Sequence, residues 1–312
     1  MECPFWKFLT LSWKKKEGSG KKDMLRTLFA FAFFFVSFSH AFSFPSKAQD
    51  DSGRSLEILQ APGRIISLIP AATEQLYLLD AGDRIVGVTI YCQRPSQAQT
   101  KEKVGTVIDV NIEKIIELRP DLIIASPLTD HKQIRKLRGL GLRVKTFDAP
   151  KDFHGLCESF LTLSRIIGKK RKAEEVLERT KRKLEAVREG IEGDAKARVF
   201  VQIGANPLFT ADEGSFINDL IEYAGGINIA GDVNTGIFSR EEVIKRNPDI
   251  ILIVTMGIIG EREKETWFRY KTISAVKNRR IFTVDSYRVC SPTPVSFVET
   301  AKEMARMFHA KQ

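Results

Sequence analysis

Residues 111–126 read NIEKIIELRPDLIIAS, and residues 239–254 read SREEVIKRNPDIILIV. The two align without a gap at an offset of 128 (248 − 120 for the prolines), which also pairs Asp121 with Asp249, Ile116 with Ile244 and Glu113 with Glu241. Each copy opens on a residue suited to cap a helix, Asn111 or Ser239, whose side-chain oxygen can accept a first-turn backbone N–H. About two turns of helix follow, then Pro-Asp, then an apolar, β-branched strand. A supersecondary unit present twice predicts two similar lobes related by a pseudo-twofold axis.

Outward from each copy the same grammar continues. In the first half RIISLI (64–69), RIVGVT (84–89), DLIIAS (121–126) and RVKTFDA (143–149) read as strands. Helical patterns separate them at Thr73–Leu79, 111–120 and 131–142. In the second half ARVFVQIG (197–204), DIILIV (249–254) and RRIFTVD (279–285) are strands. SFINDLIEYAGG (215–226) and 239–248 are helices, and a closing helix runs from Pro294 to Ala310. Strands spaced by helices mean βαβ units and a mostly parallel sheet. Between the halves lie a helix at 153–168 and a longer one, KKRKAEEVLERTKRKLEAVREGI (169–191), with a narrow apolar stripe at Ala173, Val176, Leu177, Leu184 and Val187. Such a helix makes a stiff connector, where a Gly/Ser linker would let the lobes swing. The expected layout is an N-terminal lobe at 62–150, linking helices at 151–192 and a C-terminal lobe at 193–312.

The formal charge is +10, which alone would suggest a polyanionic partner. Seven basic and three acidic residues precede position 42, so that segment holds +4 and the remainder +6. Within it LFAFAFFFVSF (28–38) is an uncharged run of eleven residues. A membrane-spanning helix needs about 20 apolar residues, so the run has the size of a signal-peptide core. Ser39-His40-Ala41 and Ser46-Lys47-Ala48 are candidate cleavage sites, and Met24 is the more ordinary start of such a signal. The alternative is a buried helix. An exported, periplasmic protein without a cysteine-borne lipid is expected. Past the signal the basic residues fall mainly on helices at 131–143 and 169–183, read as solvated faces with interleaved acids, so no nucleic-acid partner is expected.

Three cysteines follow the signal, Cys92, Cys157 and Cys290, and no Cys-x-x-Cys pair exists. The four histidines show no metal-ligand spacing. The sequence contains no glycine-rich phosphate loop, Gly-x-Ser-x-Gly elbow or zincin helix, which disfavours the best-marked enzyme classes. An enzyme on the same scaffold remains the competing function class, since fold alone does not fix activity.

RIISLIPAATEQLYLLDAGDRIVGVT (64–89), YCQRPSQAQTKEKVG (91–105) and 111–126 resemble the N-terminal lobe of the metal-chelate substrate-binding proteins of ABC importers. VQIGANPLFTADEGSFINDLIEYAGGINIAGD (201–232) and 239–254 resemble the C-terminal lobe. The likeness spans about 62–308 and is strongest to the cobalamin-binding branch over Pro95–Asp121 and Val201–Thr210. It implies two Rossmann-like α/β lobes with central parallel sheets, one long rigid helix joining them, and a ligand cleft between. It also implies no catalysis and no resident cofactor. The cargo would be a cobalt or iron chelate (a corrinoid, a ferric siderophore or haem), carried by a monomer to a permease dimer in the inner membrane.

The cleft of such a protein is lined by loops at the C-terminal ends of strands. The resemblance carries ligand contact to Tyr91 and Phe209 as aromatics, and to Asp285, Tyr287 and Arg288 as polar groups, with Asn206 in the same loop as Phe209. Val107, Ser126 and Thr235 stand where the cobalamin branch has Trp, and CSPTP (290–294) replaces the basic motif of anionic-siderophore binders. Phe209 could equally be a core residue. The resemblance implies that Glu113 and Glu241 dock on permease arginines; each would also favour its helix dipole.

Overall fold

The computed structural model describes residues 46–49, 55–58, 60–233, 236–255 and 259–310. The expected signal segment and Thr235 lie outside the described residues. Strands β1 (Ser46–Gln49) and β2 (Ser55–Ile58) pair antiparallel ahead of the first lobe.

That lobe runs β3 (Ile65–Ser67), α1 (Pro70–Leu78), β4 (Ile85–Val88), β5 (Glu102–Lys103), α2 (Ile112–Glu117), β6 (Leu122–Ala125), α3 (His131–Gly139) and β7 (Val144–Thr146). Its five strands form a parallel sheet ordered β5-β4-β3-β6-β7. Every residue of β3 and β6 is buried, the pattern of central strands covered on both faces. Ile112 and Ile115 of α2 and Ile134 and Leu137 of α3 share one core cluster with Ile66, Ile123 and Val144, so both helices cover the same sheet face.

Two helices follow, α4 (Phe153–Ile166) and α5 (Lys170–Glu189). The second lobe then runs β8 (Ala197–Gln202), β9 (Gly204–Ala205), β10 (Leu208–Phe209), α6 (Phe216–Tyr223), β11 (Gly226–Asn228), β12 (Ile237–Phe238), α7 (Arg240–Arg246), β13 (Ile250–Thr255), α8 (Ile259–Trp267), α9 (Ser274–Lys277), β14 (Ile281–Asp285), α10 (Ser286–Cys290) and α11 (Pro294–His309). Its parallel sheet is ordered β11-β8-β13-β14, with a small antiparallel sheet β12-β10-β9 beside it. The core holds Phe200, Trp267 and the inward residues of β13.

The repeated unit is built with the same polar joints in both lobes. Asp121 accepts from the backbone N–H groups of Gly63 (2.7 Å) and Arg64 (3.1 Å), and Asp249 accepts from Arg198 N–H at 2.9 Å. The Arg64 guanidinium donates to the carbonyls of Leu118 (2.7 Å) and Arg119 (3.1 Å), and that of Arg198 donates to Arg246 O at 2.8 Å. Each arginine thus satisfies carbonyls that a helix end leaves without partners. The chain leaves each helix through a left-handed residue, Arg119 or Asn247, both at φ 45°. Replacing Asp121 or Asp249 by Ala should therefore cost about the same at either site, roughly 1.5–3 kcal/mol, since each removes a charged acceptor from strand-edge amides. Urea unfolding of the two variants checks this; a loss confined to one lobe would refute the equivalence.

The lobes are joined by two antiparallel helices. Phe153 N–H donates to Asp219 at 2.7 Å, and the Phe153 ring packs on Phe297 and Tyr223, which fastens the start of α4 to the second lobe. Its far end meets the first lobe, where Arg84 donates to Ile167 O at 3.0 Å. Helix α5 then returns. Lys172 pairs with Asp80 of the first lobe at 2.6 Å, and Lys183 pairs with Glu299 of α11 at 3.1 Å. At about 1.5 Å per residue, its 20 residues span about 30 Å. No described helix is long and apolar enough to cross a membrane.

Candidate functional site

A cavity of about 960 Å³ opens between the lobes. From the first lobe it takes the turns after the strands: Ile69–Ala72 after β3, Tyr91, Gln93 and Arg94 after β4, Ser126–Leu128 after β6, and Phe147–Pro150 after β7. Strand C-terminal ends supply these segments because βαβ geometry brings them together at one edge of the sheet. The second lobe adds Phe216, Asp285, Tyr287 and Cys290. Helix α4 contributes Leu156, Ser159 and Leu163, a wall that the sequence reading took only as a connector. Mostly apolar walls with a few placed polar groups are what a small-molecule site needs.

The two walls already touch. Asp285 caps α10 by accepting from Tyr287 N–H at 2.7 Å, and its other oxygen pairs with Arg94 of the opposite lobe at 3.2 Å. The Tyr287 hydroxyl donates to Tyr91 O at 3.0 Å and accepts from Gln93 N–H at 3.2 Å. The Arg94 guanidinium lies 4.7 Å from the centre of the Tyr287 ring. Burial raises the Tyr287 phenol above its ordinary value, so it stays a neutral donor at neutral pH. Behind Arg94, burial also raises the Glu74 carboxyl, while the Arg94 charge pulls it down. Because one residue, Arg94, makes both an ion pair and a ring contact across the cleft, Arg94→Ala should loosen closure. Ligand dissociation is expected to quicken about 5–10-fold, the scale of one solvent-accessible cross-lobe cluster. Stopped-flow release with an unchanged rate would exclude a latch here.

The cavity gathers five of the nine expected ligand residues: Tyr91, Val107, Ser126, Asp285 and Tyr287. Phe209 sits outside its lining, on the small β12-β10-β9 sheet opposite Ile237, at 41% exposure. Asn206 lies in the β9–β10 turn and is likewise outside the lining. Arg288 turns away to an ion pair with Glu303 of α11. Sequence reading missed Arg94 as a cross-lobe partner and Asp148 as a lining charge; both lie in strand-end segments, the signal that could have found them.

Cys92 is fully buried among Thr73 and Thr89, with both hydroxyls 3.2 Å from its sulfur, whereas Cys290 is exposed to the cavity. All three described cysteines are free thiols. Partial loss of water around the sulfur, then the negative charge of Asp285, raises the Cys290 thiol above its ordinary value. Among the described residues no three His, Cys, Asp or Glu side chains are grouped to hold a metal ion.

Glu113 and Glu241 are exposed in the first turns of α2 and α7, behind caps in which Asn111 accepts from Lys114 N–H and Ser239 from Glu242 N–H. Neither carboxylate has an ion-pair partner among the described residues. Its own backbone amide and then the Ser239 hydroxyl hold Glu241 below its ordinary value, so it is charged at neutral pH.

Two α/β lobes, a helical connection and a cleft at the strand ends define a bilobal small-molecule binding protein. The chain belongs to the periplasmic binding protein family, which it matches over residues 65–287. It is 34% identical over 206 residues to the vitamin B12-binding protein of Salmonella choleraesuis, covering 65% of this chain and 76% of the relative. It is 29% identical over 276 residues to the ABC transporter substrate-binding lipoprotein YvrC of Bacillus subtilis, covering 85% and 86%. The crystal structure of the periplasmic vitamin B12-binding protein of Vibrio cholerae superposes with a TM-score of 0.68 at 28% identity, covering 80% of this chain and 99% of that one.

Proposed function

We propose that this protein is the extracytoplasmic substrate-binding component of an ABC importer and that its cargo is cobalamin or another corrinoid. The observation that carries the choice of cargo is the charge of the cleft. Arg94 is the cation in the described lining, and Asp285 already neutralises it; Asp148 remains. A bulky chelate without net negative charge, coated with amides, fits such a wall, which has Gln75, Gln93 and Gln99 in its lining. A carboxylate-rich ferric siderophore or haem would meet Asp148 and would have to displace Asp285 from Arg94. The volume also stands near the top of the roughly 300–1,000 Å³ range of small-molecule sites, which suits a macrocycle. Tyr91, 51% exposed into the cleft, offers a ring face for it. Val107 and Ser126, which the resemblance places where the cobalamin branch has Trp, give the lining no ring face at those two positions.

The test is fluorescence quenching or calorimetry with cobalamin, haem and a panel of ferric siderophores. Submicromolar cobalamin affinity with no haem binding is expected. Tight binding of an anionic chelate and none of a corrinoid would overturn the choice of cargo and leave the importer role standing. For delivery, Glu113 and Glu241 are proposed to engage the two subunits of a permease dimer, a twofold partner suited to a pseudo-twofold ligand protein.

A further inference from the structure

Two basic helices carry much of the positive charge, and they treat it differently. Helix α5 has eight basic and five acidic residues. It laces them together as Lys170–Glu174, Arg171–Glu175, Arg182–Glu178 and Arg188–Glu185, and ties Lys172 and Lys183 to its neighbours. Residues 130–143 around α3 hold five basic residues against the single Asp130, or +4. Asp130 is engaged as the helix cap, accepting from Lys132 and Gln133 N–H. Lys132, Arg135, Lys136 and Arg143 are exposed and form no ion pair among the described residues.

Lys136 and Arg138 in the last turn suit the helix dipole, but the charge as a whole is not paired within the lobe as it is on α5. Ile134 and Leu137 face the core, so Lys132, Arg135 and Lys136, spaced i, i+3 and i+4, share the outward face with Leu140, which is 52% exposed. Like charges at that spacing repel, and a lysine in the first turn opposes the helix dipole. The face is therefore electropositive.

Its position is fixed by the loop that leads into α2. The Gln133 side chain accepts from Val110 N–H at 2.9 Å and donates to Asp109 at 2.5 Å, and Asp130 N–H donates to Ile108 O at 3.0 Å. The first turn of α3 is thus fastened beside the first turn of α2, where Glu113 stands. The N-terminal end of α3, with Lys132, therefore stands on the side of the lobe that a permease docked at Glu113 would approach.

We propose that the outer face of α3 is a membrane-surface contact, in which Lys132, Arg135, Lys136 and Arg143 lie against anionic phospholipid headgroups with Leu140 among them. Its orientation rests on the docking role of Glu113; its lipid affinity does not, and the test separates the two. Purified protein is co-sedimented at low salt with vesicles of phosphatidylglycerol and phosphatidylcholine in equal parts, and with phosphatidylcholine alone. Binding to the anionic vesicles alone is expected, weakening as salt shortens the Debye length below about 10 Å.

The triple variant Lys132→Glu, Arg135→Glu and Lys136→Glu should lower partitioning about tenfold or more. A matched reversal on α5, Lys170→Glu, Arg171→Glu and Arg182→Glu, should change it little. Both variants keep the N-terminal segment, so their difference isolates α3, and thermal melting verifies that each is folded. Equal binding by the α3 variant and the parent, or no binding of the parent to anionic vesicles, overturns the proposal. So does an α3 variant that keeps vesicle binding but loses stimulation of the permease, which would assign the face to an acidic protein surface. Loss of transport in a Glu113 variant with vesicle binding intact would leave it standing.

Discussion

Exchanging Glu113 and Glu241 together for arginine should lower importer-dependent uptake about a hundredfold or more while leaving ligand affinity unchanged. On the proposed docking role each reversal turns an attraction into a repulsion, and charged pairs at protein interfaces couple by a few kcal/mol when partly desolvated. Within the protein neither carboxylate has an ion-pair partner among the described residues, so the exchange breaks no internal pair. Neither residue lines the cleft, which is why affinity should not change. Either single variant should be milder, since one lobe would still engage. Uptake of radiolabelled cargo alongside calorimetry separates the two properties. Normal uptake by the folded double variant would end the docking assignment, whereas a parallel loss of affinity would place the carboxylates in the ligand site instead.

The largest expected effect on stability is at Glu263. Its carboxylate accepts from Gln202 Nε2 at 2.7 Å and from the Arg240 guanidinium, and the Gln202 carbonyl accepts from Trp267 Nε1 at 2.6 Å. Arg240 also lies 4.7 Å from the centre of the fully buried Trp267 ring. The Arg240 and Glu263 side chains are only 21% and 12% exposed, and Arg240 Nη1 is buried with no partner already. Glu263→Ala would leave a mostly buried cation and an amide unsatisfied, a change costing about 3–5 kcal/mol. Removing both charges, Arg240→Met with Glu263→Leu, should restore most of that, because the penalty comes from the unpaired charge and not from a lost attraction. Chemical unfolding of the two variants tests this; a single-variant loss under about 1 kcal/mol would mean that water or a shifted side chain satisfies Arg240. Since Arg240 directly precedes Glu241, the same network also fixes the helix end from which the carboxylate proposed for docking projects.

These residues differ in how far the sequence announces them. The duplicated helix–Pro-Asp–strand unit was legible because its parts are local. Caps, a Pro stop and β-branched runs act within a few residues of themselves, so Asn111, Ser239, β6 and β13 could be placed from spacing. The two lobes followed from the repetition, and the linking helices from the charge-rich helical pattern between its copies. The pairs that hold the unit together were not legible: Arg64 and Arg198 stand more than fifty residues upstream of Asp121 and Asp249, respectively. Likewise the small β12-β10-β9 sheet uses two-residue strands too short to show a period.

Among the cleft residues the same division holds. Tyr91, Val107, Ser126, Asp285 and Tyr287 follow strands, and the rule that parallel sheets gather strand C-termini at one edge selects them. Phe209 and Arg288 come from the same kind of segment yet point elsewhere, Arg288 because Glu303 on α11 offers a carboxylate within reach. The Arg94–Asp285 pair spans 191 residues, and no local pattern encodes it. By itself the sequence determined most of the longer elements, their order and the duplicated unit, since those depend on short-range propensity and periodic burial. Only the tertiary structure decided which charges meet and which stay free. Arg94 is neutralised across the cleft, most α5 charges are laced together, and Lys132, Arg135 and Lys136 of α3 face solvent with no ion-pair partner among the described residues. Pairing depends on where side chains arrive in space, and charge enters the sequence as a sum that carries no such address.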